Sequence, residues 1–541
     1  MVNPLSMPTL SDKLYRFFSL VIGLAVFAFI FYRAAHMSIT FDESGTTDVL
    51  DASYWDTLFA DRFFQSANNH LLNSILMKFS AGIFGTSEIG LRLPNVLSYL
   101  FYFWGSFLIV HELTKDNWLR FSGLVMLNTI IFVIDFFSVA RGYGLAISFE
   151  MMSLAMMIRH LGNGKQSALF FSFLFASLAI YANFTWLNFF LPLWAVYNMM
   201  LLLDLKHLKL FLTKCWSKNS IPFFFSLLVT AVSYRPISLL RHQDEFRWGA
   251  NAWIDSMHTF MKDFLYDNHF WFAVIGQIFL FLLFLMALVY TVRFIKSSAG
   301  IKGATGMLVF ITLLISTIVM ATILQRNLLH TMYMDGRKAL MYFPLVIILL
   351  IAFVNEYFGL KVFWLRTASI FLLVISVFHF FYRVNTKAMR EWWFDENSKE
   401  VAYYIDAHPV DGNRDVAVNW FYYPSIRFYN FHRFDTSIKR LVKMEEIRDS
   451  TSFAYYYVLG DQIRNVPPVY QPVFRFAWDR ILLRKDSAAY LTRKANITDT
   501  LKRDNKLQAA LMADSILWQE RRTMDWTNLS ISKNGIEEPE K

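Results

Sequence analysis

The chain has 541 residues, of which 55% are hydrophobic, 18% aromatic and only 17% charged, with a mean hydropathy of +0.35. This balance is too apolar for an ordinary soluble domain and marks a polytopic membrane protein. The formal net charge of +10 is expected mainly in loops on one side of the membrane and gives no argument for nucleic-acid binding, while a single cysteine, Cys215, excludes an intrachain disulfide framework and a cysteine-only metal cluster.

A membrane helix needs about twenty mostly apolar residues, and eleven runs bounded by charge approach that size. They cover about 14–35, 89–110, 121–137, 143–158, 169–181, 187–203, 221–233, 270–292, 307–323, 339–354 and 362–382. The first is flanked by Lys13 and Arg16 and has no small-residue cleavage site before Asp42, so it is expected to be a retained membrane helix. Between the first two runs, Tyr54 to Phe64 and Leu71 to Phe84 have the apolar spacing of helices lying along the membrane surface. The seventh run is cut short by Tyr234, Arg235 and Pro236. With the N-terminus inside, alternate loops carry Lys115, Arg120, Arg159, Lys165, Lys206, Lys209, Lys214, Lys218, Arg293, Lys296, Lys302 and Lys361 with few acids, which fits the positive-inside rule. That topology puts the N-terminus in the cytoplasm and the C-terminal region outside, and the expected localisation is a cell (inner) membrane.

From Arg383 onward charged residues become frequent and short aromatic or β-branched runs alternate with turns. The expected fold class is therefore an α-helical polytopic membrane protein of about eleven transmembrane helices with a small C-terminal soluble α/β domain. The expected domains are a membrane domain over 1–382, the soluble domain over 383–486 and a helical or partly disordered tail over 487–541. Within the soluble part, Ser398 to His408 reads as a helix, and Val416 to Tyr423, Phe453 to Leu459 and Tyr470 to Leu483 read as strands.

Several polar clusters fall on the outer face of this topology: Asp42 with Glu43, Asn68 to His70, Arg141, Arg235 with Arg241 to Arg247, and Gln325 to Lys338. Two adjacent carboxylates can serve as a general base or hold a cation, or they can simply cap the following segment. Arg141 and Arg235, taken singly, read as side chains that snorkel to water. The loop from Arg241 to Asn268 mixes acids, histidines and tryptophans as sugar-binding surfaces do, although tryptophan also belongs at membrane interfaces. The N-glycosylation patterns at Asn183, Asn496 and Asn528 are treated as chance matches.

Phe41-Asp42-Glu43, then His70-Leu71-Leu72-Asn73, Phe84-Gly85 and Glu88-Ile89-Gly90-Leu91-Arg92-Leu93-Pro94 resemble, in order and spacing, the N-terminal signature of the GT-C membrane glycosyltransferases. The branch they are most similar to contains the dolichyl-phosphate-mannose-protein mannosyltransferases and the aminoarabinose transferase of lipid A modification. Ala140-Arg141-Gly142-Tyr143 resembles that family's arginine-bearing turn after the third helix, and Gly336-Arg337-Lys338 with Tyr342-Phe343-Pro344 its late arginine and aromatic motif. The soluble end resembles no family.

The resemblance implies transfer of a sugar from a polyprenyl-phosphate carrier to an acceptor on the outer face. It implies Asp42 as the base that activates the acceptor hydroxyl, Glu43 as its orienting partner, and His70, Arg141, Arg337 and Lys338 as binders of the carrier phosphate. A divalent cation near Asp42, Glu43 and His70 is compatible with the pattern and not required by it. Leu71 replaces a proline found in some relatives, and Asn69 replaces an acid, which weakens the case for metal. The implied partners are a polyprenyl-phosphate-linked sugar donor, a glycan, lipid or protein acceptor and membrane lipid, with no nucleic acid. A transporter or lipid flippase would share many helices and scattered charges, but would tend to show repeated halves and helices broken near mid-membrane; a non-catalytic glycan-binding relative is the other alternative.

Overall fold

The computed structural model describes residues 10–61, 67–205, 208–297, 303–359, 361–446 and 452–486, with a few isolated positions between 488 and 516. Most of the expected helical or partly disordered tail over 487–541 and the end of the expected 54–64 helix lie outside the described residues. The helices, in chain order, are α1 (Leu10–His36), α2 (Phe41–Thr46), α3 (Tyr54–Phe59), α4 (Leu71–Phe84), α5 (Glu88–Leu113), α6 (Asn117–Asn128), α7 (Ile131–Phe137), α8 (Gly142–Asn163) and α9 (Gln166–Ala182). They continue with α10 (Leu187–Leu205), α11 (Leu208–His242), α12 (Trp253–Phe264), α13 (Phe270–Lys296), α14 (Gly303–Leu329), α15 (Tyr342–Phe358), α16 (Val362–Arg383), α17 (Ser398–Ala407) and α18 (Tyr423–Arg433).

All eleven apolar runs are helical, but among the described residues eight helices are long and apolar enough to cross a membrane, or nine if α6 and α7, bent by 58° at their junction, form one span. The chain is thus an integral membrane protein with fewer clear spans than the eleven expected. The difference lies in α8 and α9. Helix α8 is buried over most of its length and packs against α5 and α9, so protein rather than lipid surrounds it and it can carry Glu150 and several serines. Helix α9 has 17 residues, short for a bilayer. Helix α11, in contrast, runs on to His242 with Pro222 and Pro236 inside it, since a proline removes one hydrogen bond and kinks a helix without having to end it.

The chain divides into two compact units, one of Met1–His36 with Asp48–Glu391 and the other of Met37–Thr47 with Trp392–Lys541. In the membrane unit, the Glu88 to Pro94 motif builds the α4–α5 corner. Gly85 adopts φ +76°, a left-handed value that suits glycine, and Ser87 caps α5 by accepting the Gly90 N–H at 3.1 Å. Pro94, inside α5, has no N–H to give the carbonyl four residues back. That carbonyl, on Gly90, instead accepts the Ser80 hydroxyl at 2.6 Å. Arg92 is fully buried and donates to the Ala34 carbonyl at 2.9 Å, satisfying one of the orphan acceptors in the last turn of α1.

The same unit holds a buried ion pair, Arg33 with Asp135 at 2.7 Å. Asp135 also accepts the Tyr266 hydroxyl at 3.0 Å and the Arg390 N–H at 3.1 Å, while Arg33 donates to the Ala388 carbonyl at 2.9 Å. Arg390 reaches Asp263 at 2.6 Å. These bonds fasten α1, α7, α12 and the chain leaving α16 into one polar knot, so none of its charges is buried alone.

The C-terminal unit is a mixed five-stranded sheet flanked by α17 and α18. Its strands are β1 (Val416–Val418), β2 (Leu441–Lys443), β3 (Tyr455–Leu459), β4 (Tyr470–Phe476) and β5 (Arg480–Lys485), in the order β2-β1-β3-β5-β4. β1 is parallel to β2 and β3, with Val416 beside Leu441 and Tyr455. β5 is antiparallel to β3 and β4, with Leu483 beside Tyr456 and Pro472. The single strand expected over 470–483 is thus a hairpin, turned at Trp478, whose φ is +60°. The strand expected over 416–423 stops at Val418, because Pro424 falls in the first turn of α18, where a proline's fixed φ favours helix initiation. Ala417, Tyr456, Tyr470, Ile481 and Leu483 belong to its apolar core.

Candidate active site

In the membrane unit the site begins at the α4 entrance. His70 is the residue before α4 and makes no side-chain cap bond there. It is only 5% exposed, and its Nε2 has no hydrogen-bond partner among the described residues. The Tyr143 ring lies edge-on to the imidazole, with centroids 5.1 Å apart. Burial first, and then the positive fields of Arg141 and Arg337, hold the His70 ring well below its usual pKa, so the imidazole is neutral at ordinary pH.

Arg141 is the residue before α8. It is 1% exposed, which corrects the snorkelling expectation. Its guanidinium donates to the Asn68 carbonyl at 3.0 Å and to Asn68 Oδ1 at 2.9 Å, a bidentate hold that replaces water. Arg235, by comparison, is exposed and reaches Asp61 at 2.7 Å, as a snorkelling side chain would.

The Arg141 turn is fixed by residues that the sequence did not single out. Asn73 donates to the Ala140 carbonyl at 3.0 Å, Asn95 donates to Asn73 Oδ1 at 2.6 Å, and Asn95 Oδ1 accepts the Leu145 N–H at 3.3 Å. Both asparagines stand inside or just after quoted motifs, His70-Leu71-Leu72-Asn73 and Arg92-Leu93-Pro94-Asn95, and that position was their only signal. Gly142 allows the turn to seat: a Cβ there would lie 1.9 Å from the Ala182 carbonyl oxygen and 2.8 Å from His70 Cβ.

Arg337 sits in a short 3-10 turn, Gly336–Ala339, and pairs with Glu391 at 3.3 Å, both side chains part-exposed. It acts electrostatically on His70, so His70, Arg141 and Arg337 share one positive environment. Lys338 is directed elsewhere, donating to the Trp248 carbonyl at 2.6 Å. The Ala250 and Tyr333 backbones also exchange hydrogen bonds at 3.0 Å, so the loop expected as a sugar surface is stitched to the segment before Arg337. Trp253 packs on Tyr333, ring centroids 5.7 Å apart, while Trp248 is exposed. Asn183 is buried and its Oδ1 accepts the Thr185 N–H at 2.9 Å, a turn-building role.

Asp42 and Glu43 belong to the C-terminal unit. They lie in α2, whose N-cap is Thr40. Glu43 closes a capping box: its carboxylate accepts the Thr40 N–H at 2.9 Å while the Thr40 hydroxyl accepts the Glu43 N–H at 3.4 Å. Asp395 accepts the Phe41 N–H at 2.6 Å and the hydroxyls of Ser398 and Ser425 at 3.0 and 2.6 Å. The Tyr429 hydroxyl accepts the Ile39 N–H at 2.9 Å. Burial pushes the Asp395 carboxyl up to about 7, against the opposing pull of those hydrogen bonds. Asp42 is therefore carried on a short helix fixed at both its cap and its first N–H. Among the described residues no group of three or more His, Cys, Asp or Glu side chains could hold a metal ion.

Fold and composition together define a helical polytopic membrane protein with a small mixed-sheet unit. No protein-family model matches the chain, and no curated protein matches it significantly in sequence. Among solved structures it is similar to the apo crystal structure of ArnT from Cupriavidus metallidurans, at 12% identity and a TM-score of 0.45 over 86% of this chain and 97% of that one. It is also similar to the structure of ArnT from the same organism bound to undecaprenyl phosphate, at 12% identity and a TM-score of 0.41 over 88% and 98%. A likeness this remote assigns no activity to this chain.

Proposed function

We propose that the protein is an integral membrane glycosyltransferase that moves a monosaccharide from a polyprenyl-phosphate carrier to an acceptor hydroxyl, with inversion at the anomeric carbon. The observation that carries this reading is the cluster of neutral His70 with Arg141 and Arg337, built on motifs that resemble the GT-C signature. Two guanidinium charges that act on the His70 imidazole, whose Nε2 has no hydrogen-bond partner among the described residues, supply the positive donors that an anionic phosphate ester needs as its charge grows.

In the proposed reaction Asp42 takes the proton of the acceptor hydroxyl as the oxygen attacks the anomeric carbon. The bond from that carbon to the carrier phosphate oxygen breaks, and the polyprenyl phosphate leaves as an anion stabilised by Arg141 and Arg337. His70 hydrogen-bonds a phosphate oxygen. Glu43 acts through the capping box, holding the helix that carries Asp42 rather than touching substrate. Lys338 acts one step further out, holding the Trp248 loop. The proposed orientation has the N-terminus cytoplasmic and the site extracytoplasmic.

The donor and the acceptor are found by mass analysis of lipid-linked sugars and envelope glycans in cells with and without the protein. Accumulation of one carrier-linked sugar and loss of one glycan are expected; unchanged profiles in both would overturn the reading. In purified protein, Asp42→Asn is expected to abolish transfer while carrier binding persists, and undiminished turnover would remove Asp42 from the base position.

A further inference from the structure

Helix α8 runs from the Arg141 turn to a cavity at its far end. Arg141 precedes its first residue, and its 22 residues span about 33 Å at 1.5 Å per residue, the thickness of a bilayer core. At the far end, where α8 and α10 finish and α11 and α14 begin, lies a cavity of about 430 Å³. Its lining includes His160, Tyr197, Asp204 and Lys218 together with the apolar Met200 and Phe310.

The cavity wall is prebuilt. Asn198 and Asn219 exchange amide hydrogen bonds at 3.1 and 2.7 Å, and the Trp194 indole donates to Asn219 Oδ1 at 2.7 Å, locking α10 to α11. The Tyr197 hydroxyl donates to the Lys218 carbonyl at 3.1 Å, which fixes the backbone that carries the Lys218 ammonium. His160 donates from Nδ1 to the Lys165 carbonyl at 2.9 Å, which leaves Nε2 as the ring's acceptor nitrogen. Among the described residues neither Asp204 nor Lys218 forms a salt bridge. One cation and one anion thus border a cavity whose lining also includes the apolar Met200 and Phe310.

We propose that this cavity receives the headgroup of a zwitterionic aminophospholipid from the leaflet opposite the His70–Arg141 end. Lys218 takes the phosphate, Asp204 takes the primary ammonium, and Met200 and Phe310 face the glycerol and upper acyl carbons. The acid selects against purely anionic lipids, and its hydrogen-bond demand selects against a quaternary ammonium, which has no N–H to give. The same phosphate-and-ammonium chemistry exists in soluble glycerophosphoethanolamine, and the apolar wall favours the lipid.

The test uses the full chain, purified and delipidated, then exchanged into nanodiscs of phosphatidylcholine with a minor fraction of phosphatidylethanolamine. Bound lipid is counted by native mass spectrometry. Preferential retention of the ethanolamine lipid is expected, reduced about tenfold, equivalent to 1.4 kcal/mol, by Lys218→Gln and by Asp204→Asn. Asp204→Asn preserves side-chain shape and Lys218→Gln removes the charge from a shorter polar side chain, and an unchanged melting temperature separates lost binding from lost folding. Equal retention of choline and ethanolamine lipids would overturn the proposal, as would wild-type retention in both variants. Displacement by millimolar glycerophosphoethanolamine would overturn the lipid as the occupant. Transfer activity is not read, so the outcome is independent of the reaction assigned above.

Discussion

Asp395 accepts the backbone N–H of Phe41 across 354 positions of sequence, and so a carboxyl of the C-terminal unit holds the first residue of the helix that carries Asp42. The bond makes the Phe41-Asp42-Glu43 stretch part of the unit formed by the end of the chain.

The Asp395 carboxyl, pushed up to about 7 by burial from 3.8, gives that unit a pH dependence with a definite sign. Between those values the unfolded chain has lost a proton that the folded chain keeps. Stability therefore falls as pH rises from about 4 to about 7 and levels off above. Asp263, also raised by burial to about 7 despite its Arg390 partner, contributes the same sign in the membrane unit. Melting temperature measured across that range should fall, with Asp395→Asn and Asp263→Asn each flattening part of the slope.

Ser80 and Pro94 should be coupled. Ser80→Ala strips the Gly90 carbonyl of its donor, at a cost of about 1–3 kcal/mol. In a Pro94→Ala background the helix supplies its own N–H to that carbonyl, and Ser80→Ala should cost much less. A double-mutant cycle from chemical unfolding reads the difference, and additive effects would show that the hydroxyl does not replace the missing helix bond.

Gly142→Ala should disable the Arg141 turn, because the added methyl meets the Ala182 carbonyl oxygen at 1.9 Å and His70 Cβ at 2.8 Å. A backbone oxygen cannot rotate aside, so the cost is at the upper end of overpacking, about 3 kcal/mol. Weaker polyprenyl-phosphate binding should accompany it. Binding measured by fluorescence quenching with Gly142→Ala and Arg141→Ala should show losses of similar size if the turn serves to aim Arg141.

The Arg33–Asp135 pair should tolerate joint removal better than single removal. Arg33→Met leaves a buried carboxylate that keeps the Tyr266 and Arg390 bonds but loses its cation, and a loss of about 3–5 kcal/mol is expected. Arg33→Met combined with Asp135→Asn should recover part of it. Thermal stability of the two variants in detergent decides this.

Much of the architecture was legible because membrane helices announce themselves locally: all eleven apolar runs are helical. What composition could not give was the difference between a helix facing lipid and one facing protein. α8 shows it, with Glu150 bonded to the Trp186 indole at 2.7 Å inside a helix that first reads as an ordinary span. The sequence named His70, Arg141 and Arg337, which share one electrostatic environment. Their supports were hidden because they come from far along the chain, Asn68 for Arg141 and Glu391 for Arg337. Glu43 illustrates the opposite case. The reading of the acids as a cap, set beside the catalytic one, describes Glu43 well, since Thr40-Phe41-Asp42-Glu43 is a capping box written in four consecutive residues.

The division of the chain also orders its assembly in time. Met37–Thr47 leaves the ribosome long before Asp395, Tyr429 and the sheet that it joins, so during synthesis this stretch must wait, its anchors absent, until the last span has been inserted. Pairings this distant in sequence are slow to close. A chain truncated after α16 should therefore insert its spans normally and yet never acquire the settled backbone around Asp42, which protease accessibility between Met37 and Thr47 would reveal.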